Sequence, residues 1–259
     1  MNTLWFIVSA IGGYLIGSIS SARIITRIFG KDKKVPEKTS FGIEASDKKI
    51  ETKLVSATTV SVNVGAKFGF ITYVLDVLKV LIPVLVLKYQ FPDNYYFLLA
   101  ALTGVVGHIW PVYYKFRGGR GISAIYGGVF VIDWIGVFVA AVGGMIVGLF
   151  VLRDLFFTYQ AGLWLLIPWL WFRTHDIHYV IYAVVINILF TISSIPEMKQ
   201  WFKIKKEKGW DDPAQAFQVS AMGRGIIKMA KKLGFFKTSS VPSRNSSDST
   251  GNRDGSLNE

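Results

Sequence analysis

The chain has 259 residues, 51% of them hydrophobic and 18% charged, with a mean hydropathy of +0.40. It contains no cysteine, which excludes disulfides, thiolate metal sites and cysteine nucleophiles. The net charge of +12 lies beside apolar blocks rather than on a polar surface, which argues against nucleic acid as the partner.

The apolar residues fall in long blocks at 3–20, 68–87, 95–114, 134–152, 156–172 and 177–192. Each approaches the roughly 18–20 residues that a helix needs to cross the hydrocarbon core. A soluble core accounts for one or two such blocks, not six. No Lys or Arg precedes the first block and no small-x-small cleavage site follows it, so it reads as a retained span rather than a signal peptide. The stretch 122–152 is too long for one span. Gly127, Gly128, Asp133 and Gly136 are candidates for breaking it into a short piece and a full one.

The charge is unevenly distributed. Residues 23–53 hold nine Lys/Arg against five acids, and the tail from Glu197 holds twelve against seven. Lys115, Arg117 and Arg120 stand in a third basic stretch with no acid. Positive residues favour the cytoplasmic side, which predicts an outside N-terminus, an inside C-terminus and an odd number of crossings. The expected fold is all-α, a polytopic helical membrane protein of about seven spans; five full spans with re-entrant pieces satisfy the same charges. The expected organisation is a membrane domain over 1–196, a basic cytoplasmic or membrane-surface segment over 197–237, and a disordered Ser/Asn/Asp-rich tail over 238–259.

Three features bear on chemistry. The segment Gly107-His108-Ile109-Trp110-Pro111-Val112-Tyr113-Tyr114-Lys115-Phe116-Arg117-Gly118-Gly119-Arg120-Gly121 ends an apolar block on the expected cytoplasmic side. Its glycines let backbone N–H groups crowd around an anion, and its arginines bring forked donors suited to phosphate. A glycine-rich turn with ordinary positive anchors is the competing reading, and His108 on its own reads equally as a packed or capping residue. Asp76 and Lys79 lie in an apolar block, three residues apart and therefore on one helical face; they suit a structural pair or the lining of a polar site. Gly17-Ser18 in the first block suits helix packing. His175 and His178 lack a further ligand cluster, so no metal site is expected.

In order and spacing these segments resemble the bacterial integral-membrane glycerol-3-phosphate acyltransferases that use acyl phosphate as donor. The resemblance covers roughly residues 10–130 and is most specific over residues 107–121. It implies a transferase that moves an acyl group from acyl phosphate to the 1-hydroxyl of sn-glycerol 3-phosphate, yielding lysophosphatidic acid and phosphate for phospholipid synthesis. It also implies the bacterial cytoplasmic membrane as location, membrane lipids as surroundings and a soluble acyl-phosphate-forming enzyme as a partner. The donor is an already activated mixed anhydride, so no metal or cofactor is required. His108 and Arg120 are then the catalytic candidates. Ser18, Thr52, Ser56, Thr58, Arg117, Gly118, Gly119 and Gly121 are the substrate-binding candidates, with Asp76 and Lys79 as a polar pair in the span.

The sequence departs from that family's pattern in places. Aligned from Ala57-Thr58, the glycerophosphate motif's arginine is Val62 and its asparagines are Leu54 and Thr59. Arg117 and Arg120 replace lysines, and Ser20 replaces a proline. Only Pro196-Glu197-Met198-Lys199-Gln200 faintly matches the C-terminal motif. These departures keep two other classes open: a non-catalytic relative that binds lipid or a phosphorylated ligand, and a small membrane transporter.

Overall fold

The structure, a computed structural model, describes residues 2–31, 36, 39–43, 46–152, 154 and 157–208. The basic segment expected over 197–237 is therefore described only to residue 208, and the tail expected over 238–259 lies outside the described residues.

The first helix, α1 (Thr3–Gly17), starts at Asn2, whose side chain accepts from the Leu4 N–H. It stops where the chain turns at Ser18, and α2 (Ser21–Phe29) restarts from Ser20 in extended conformation, with its Oγ facing the Arg23 N–H. A small antiparallel hairpin follows, β1 (Thr39–Ile43) and β2 (Ser46–Thr52), with Thr39 opposite Thr52. This two-stranded hairpin is an addition to the otherwise helical fold that the sequence led one to expect. Next come α3 (Ala57–Asn63), α4 (Ala66–Gln90) and α5 (Tyr96–Ile109), and then a loop holding one 3-10 turn at Val112–Tyr114.

Helix α6 (Ile122–Ile132) ends at Asp133, whose extended backbone starts α7 and whose carboxylate accepts from Ile135 N–H. Helix α7 begins as Trp134–Phe138 and continues to residue 151 with wider turns, bonded i to i+5, at Val139–Gly143 and Val147–Val151. Of the four residues expected to break this stretch, Asp133 does so. Gly127, Gly128 and Gly136 instead lie inside helices, pressed against the Val77 carbonyl, the Tyr182 hydroxyl and Leu166. The last two helices are α8 (Thr158–Thr174) and α9 (Ile177–Lys208).

Among the described residues, four stretches are long and apolar enough to cross a membrane: Thr3–Phe29, Ala66–Gln90, Tyr96–Tyr114 and Ile177–Ile204. The remaining apolar helices are shorter. Large apolar side chains such as Phe6, Phe70, Ile82, Leu85 and Ile188 face outward, whereas Phe97, Ile125, Leu163, Leu166 and Ile186 fill the interior. An apolar exterior around a packed apolar core is what a hydrocarbon solvent selects.

Helix α1 packs chiefly on α5, and glycine makes that contact possible. A Cβ on Gly17 would fall 2.2 Å from the Gly104 carbonyl oxygen, and one on Gly107 would fall 2.2 Å from the Tyr14 carbonyl oxygen. At one end of the bundle, Tyr96 meets the Asn2 backbone, and Asp176 accepts from Tyr95 Oη at 2.7 Å. Partial burial pushes the Asp176 carboxyl up, but hydrogen bonds from Tyr95 and His178 outweigh it and hold the group below the usual carboxylate range. At the opposite end α2, the hairpin, the 110–121 loop and the last turns of α9 converge.

Candidate active site at the loop end

The loop after α5 folds back onto the helix it leaves. Gly119 N–H donates to the His108 carbonyl at 3.1 Å, and Val55 N–H donates to the Gly118 carbonyl at 2.9 Å. The fold-back needs a residue without a side chain at position 118, and it presses position 119 against the His108 ring. A Cβ on Gly118 would sit 2.1 Å from the His108 oxygen, and one on Gly119 would sit 2.5 Å from His108 Nε2. Lys115 and Phe116 take left-handed backbone angles in the turn, and Gly121, with φ of 95°, starts α6.

His108 is buried, and its Nδ1 has no hydrogen-bond partner among the described residues. It lies 3.8 Å from Asp76 Oδ1. Asp76 in turn is held by Lys79, with Nζ and Oδ1 2.8 Å apart, and the same ammonium donates to the Ile19 carbonyl at 2.7 Å. Three segments thus meet at one ion pair: the turn after α1 through the Ile19 carbonyl on Lys79, α4 through Asp76 and Lys79, and α5 through His108 beside Asp76. The i, i+3 spacing predicted the Asp76–Lys79 pair; nothing in the sequence predicted that His108 would join it.

A small cavity opens at this junction, lined by Ser18, Ser20, Val55, Asp76, Lys79, His108 and Gly118 among others. Ser18 is fully buried there, with its hydroxyl donating to the Tyr14 carbonyl at 2.7 Å. A second, wider cleft runs between the hairpin and α9, lined by Glu51, Thr52, Lys53, Leu54, Ser193, Pro196, Glu197 and Gln200.

The structure distributes the remaining candidates unevenly. Thr52 is buried beside the second cleft, and its hydroxyl accepts from Leu54 N–H. Ser56 precedes α3 without a side-chain capping bond, and Thr58 is exposed on α3 away from the lining of either cavity. Arg117 is exposed, next in the chain to Gly118 of the cavity lining. Arg120 turns away from His108 toward α9, where its Nε lies 3.1 Å from Glu197 Oε2 and its carbonyl accepts from Ser193 Oγ. Ser193, Glu197 and Gln200 therefore belong to the neighbourhood of the site. The sequence signal for Glu197 and Gln200 was only the faint C-terminal match, and Ser193 carried none.

A helical, membrane-spanning bundle with a buried His–Asp–Lys cluster under a glycine-rich loop defines an integral membrane protein with a polar site at one end. The glycerol-3-phosphate acyltransferase family model matches residues 7–203. The chain belongs to that family.

Among curated relatives, the glycerol-3-phosphate acyltransferase of Legionella pneumophila (strain Philadelphia 1) is 36% identical over 137 residues, 52% of this chain and 45% of the relative. That of Pelagibacter ubique is 30% identical over 128 residues, 49% of this chain and 59% of the relative. The match thus spans about half the length of these relatives. The crystal structure of PlsY, an integral membrane glycerol 3-phosphate acyltransferase in its glycerol 3-phosphate form, superposes with a TM-score of 0.64 at 23% identity. It covers 76% of this chain and 92% of PlsY, a likeness of fold.

Proposed function

We propose that this protein transfers an acyl group from acyl phosphate to the 1-hydroxyl of sn-glycerol 3-phosphate, forming lysophosphatidic acid and inorganic phosphate. The observation that carries the reading is the buried His108, with Nδ1 turned to Asp76 and Nε2 turned to Gly119 at the loop cavity. In the reaction the acceptor hydroxyl oxygen attacks the acyl carbonyl carbon, the bond from that carbon to the phosphate oxygen breaks, and phosphate departs. His108 Nε2 takes the hydroxyl proton, while Asp76 stabilises the imidazolium that forms. The backbone N–H groups of the glycine loop and Lys79 supply positive potential near the developing oxyanion. Ser18, Thr52, Ser56, Thr58, Arg117, Gly118, Gly119 and Gly121 are proposed to position the two substrates, with Arg120 supporting the loop and its charge.

The same reading takes the chain as multi-pass in the bacterial cytoplasmic membrane, with α1, α4, α5, α6, α7, α8 and α9 as seven crossings and the N-terminus outside. The basic stretches then lie on the cytoplasmic side, beside a soluble enzyme that forms acyl phosphate.

Two observations favour a second reading, a non-catalytic relative that binds a phosphorylated ligand. Arg120 is committed to Glu197, and Val62 is exposed where the family motif carries arginine. The test is phosphate release by the detergent-purified protein given palmitoyl phosphate, with and without glycerol 3-phosphate. Acceptor-dependent release with lysophosphatidic acid formed supports the enzyme; a folded sample that binds glycerol 3-phosphate without turnover supports the second reading.

A further inference from the structure

The cations around the loop are not equivalent. Lys79 is committed to Asp76 and to the Ile19 carbonyl, and Arg120 to Glu197. Arg23 and Arg117 have no carboxylate partner among the described residues, and Tyr114 joins them: its ring lies under the Arg23 guanidinium and its carbonyl accepts from Arg117 N–H at 3.1 Å. Like charges held together without a counter-ion repel, and a bound anion relieves that repulsion.

Arg23 is also held in one orientation. Its guanidinium lies over the Tyr114 ring, 4.5 Å from the centroid, and its Nη1 donates to Ser20 Oγ at 3.3 Å. Stacking on an aromatic face fixes the plane of the fork while leaving its other N–H groups free. The chain neighbours of both arginines line the His108 cavity: Ser20 and Ala22 on the Arg23 side, Gly118 on the Arg117 side.

We propose that Arg23 and Arg117 form a two-arginine clamp for a phosphate group at the rim of the His108 cavity. This rests on the acyltransferase reading for the identity of the ligand, because acceptor and donor both carry phosphate. Arg23 on α2 supplies the charge that Val62 on α3 cannot. The clamp binds phosphate; it takes no part in proton transfer.

The test uses the full chain with Arg23→Gln, Arg23→Lys and Arg117→Gln, measuring kcat and the KM of each substrate separately. Losing a charge-assisted contact made equally in ground and transition states raises KM with kcat little changed. The expected rise is about 10- to 100-fold for Arg23→Gln and Arg117→Gln on the same substrate, with partial recovery in Arg23→Lys. A rise confined to glycerol 3-phosphate assigns the clamp to the acceptor; one confined to palmitoyl phosphate assigns it to the donor. An active wild type with both KM values unchanged in Arg23→Gln, or with only kcat lowered, overturns the clamp and leaves the acyltransferase reading standing.

If the folded wild type does not turn over, that reading fails and the clamp is judged by thermal unfolding with inorganic phosphate. Stabilisation of wild type but not of Arg23→Gln supports it, and equal behaviour of the two overturns it. Should Arg23→Gln not fold, the exposed Arg117→Gln decides by the same criteria.

Discussion

Arg120 Nε and Glu197 Oε2 lie 3.1 Å apart, an ion pair without hydrogen-bond alignment that ties the glycine-rich loop to the last long helix. Glu197 is buried and Arg120 is partly exposed, at 5% and 27% side-chain exposure. Removing Arg120 therefore does more than remove a site charge: it leaves a buried carboxylate without its partner. The cost falls between that of an exposed pair, ~0–1 kcal/mol, and that of a fully buried one, ~3–5 kcal/mol. Arg120→Ala is expected to lower the unfolding temperature, and Arg120→Ala with Glu197→Gln to recover most of the loss. Thermal unfolding of both variants in detergent checks this, and additive losses would disprove the coupling.

Gly119 lies against the imidazole of His108 with backbone angles that any residue adopts, so alanine there acts through its methyl group alone. The nearest atom, His108 Nε2, is the end of a side chain that can rotate. Gly119→Ala is expected to fold, to turn His108 off its position and to slow acyl transfer about 100-fold or more, the lower end of what a general base contributes. Steady-state rates beside an unfolding curve separate this from misfolding. Activity equal to wild type would remove His108 from the proton-transfer role.

Gln200 of α9 exchanges two backbone hydrogen bonds with Glu51 of β2, accepting at 3.0 Å and donating at 2.8 Å. The amide thus holds the hairpin on the helix beside the second cleft. Gln200→Ala is expected to accelerate hydrogen exchange at the Glu51 amide while leaving the α5 amides protected. Unchanged protection at Glu51 would show that the hairpin is held by other contacts.

The hairpin is also where the sequence was least legible. Residues 39–52 mix Lys, Asp and Glu without an apolar alternation, so no strand period stands out. Part of what holds them is Gln200, distant in sequence. Four apolar helices among the described residues were legible because hydrocarbon thickness forces long apolar runs whatever the packing, and the Asp76–Lys79 pair because a helix puts i and i+3 on one face. The approach of His108 to Asp76 and the pairing of Arg120 with Glu197 depend on how helices pack, which spacing along one chain does not encode. Asp133 was one of four candidate break points. It is the break because its carboxylate also accepts from Trp169 Nε1 and lies 3.5 Å from Arg173, contacts that a glycine lacks.

The α1–α5 contact yields a prediction with an internal control. Alanine at Gly17 or Gly107 would place a methyl group 2.2 Å from a backbone carbonyl oxygen, which cannot move without moving a helix. Gly12, on the same α1, has nothing within 4 Å. Gly17→Ala and Gly107→Ala are each expected to cost about 1–3 kcal/mol of stability, whereas Gly12→Ala is neutral within error. Chemical unfolding in mixed micelles gives the comparison, and three equal midpoints would mean that the two helices are not in backbone contact.

Lys79 carries both a structural and a chemical consequence, and two variants separate them. Lys79→Met leaves Asp76 buried without its counter-ion and frees the Ile19 carbonyl at the end of α1. Breaking a buried pair from one side costs about 3–5 kcal/mol. Replacing both partners, in Asp76→Asn with Lys79→Met, removes the stranded charge and is expected to restore most of that stability. Activity is expected not to follow. With Asp76 gone, nothing holds a charge against His108 Nδ1, and acyl transfer stays about 100-fold or more below wild type. Unfolding temperature and turnover measured on both variants give the split directly. A double variant that recovers stability and activity together would make the Asp76–Lys79 pair a helix-packing device and leave His108 acting without it.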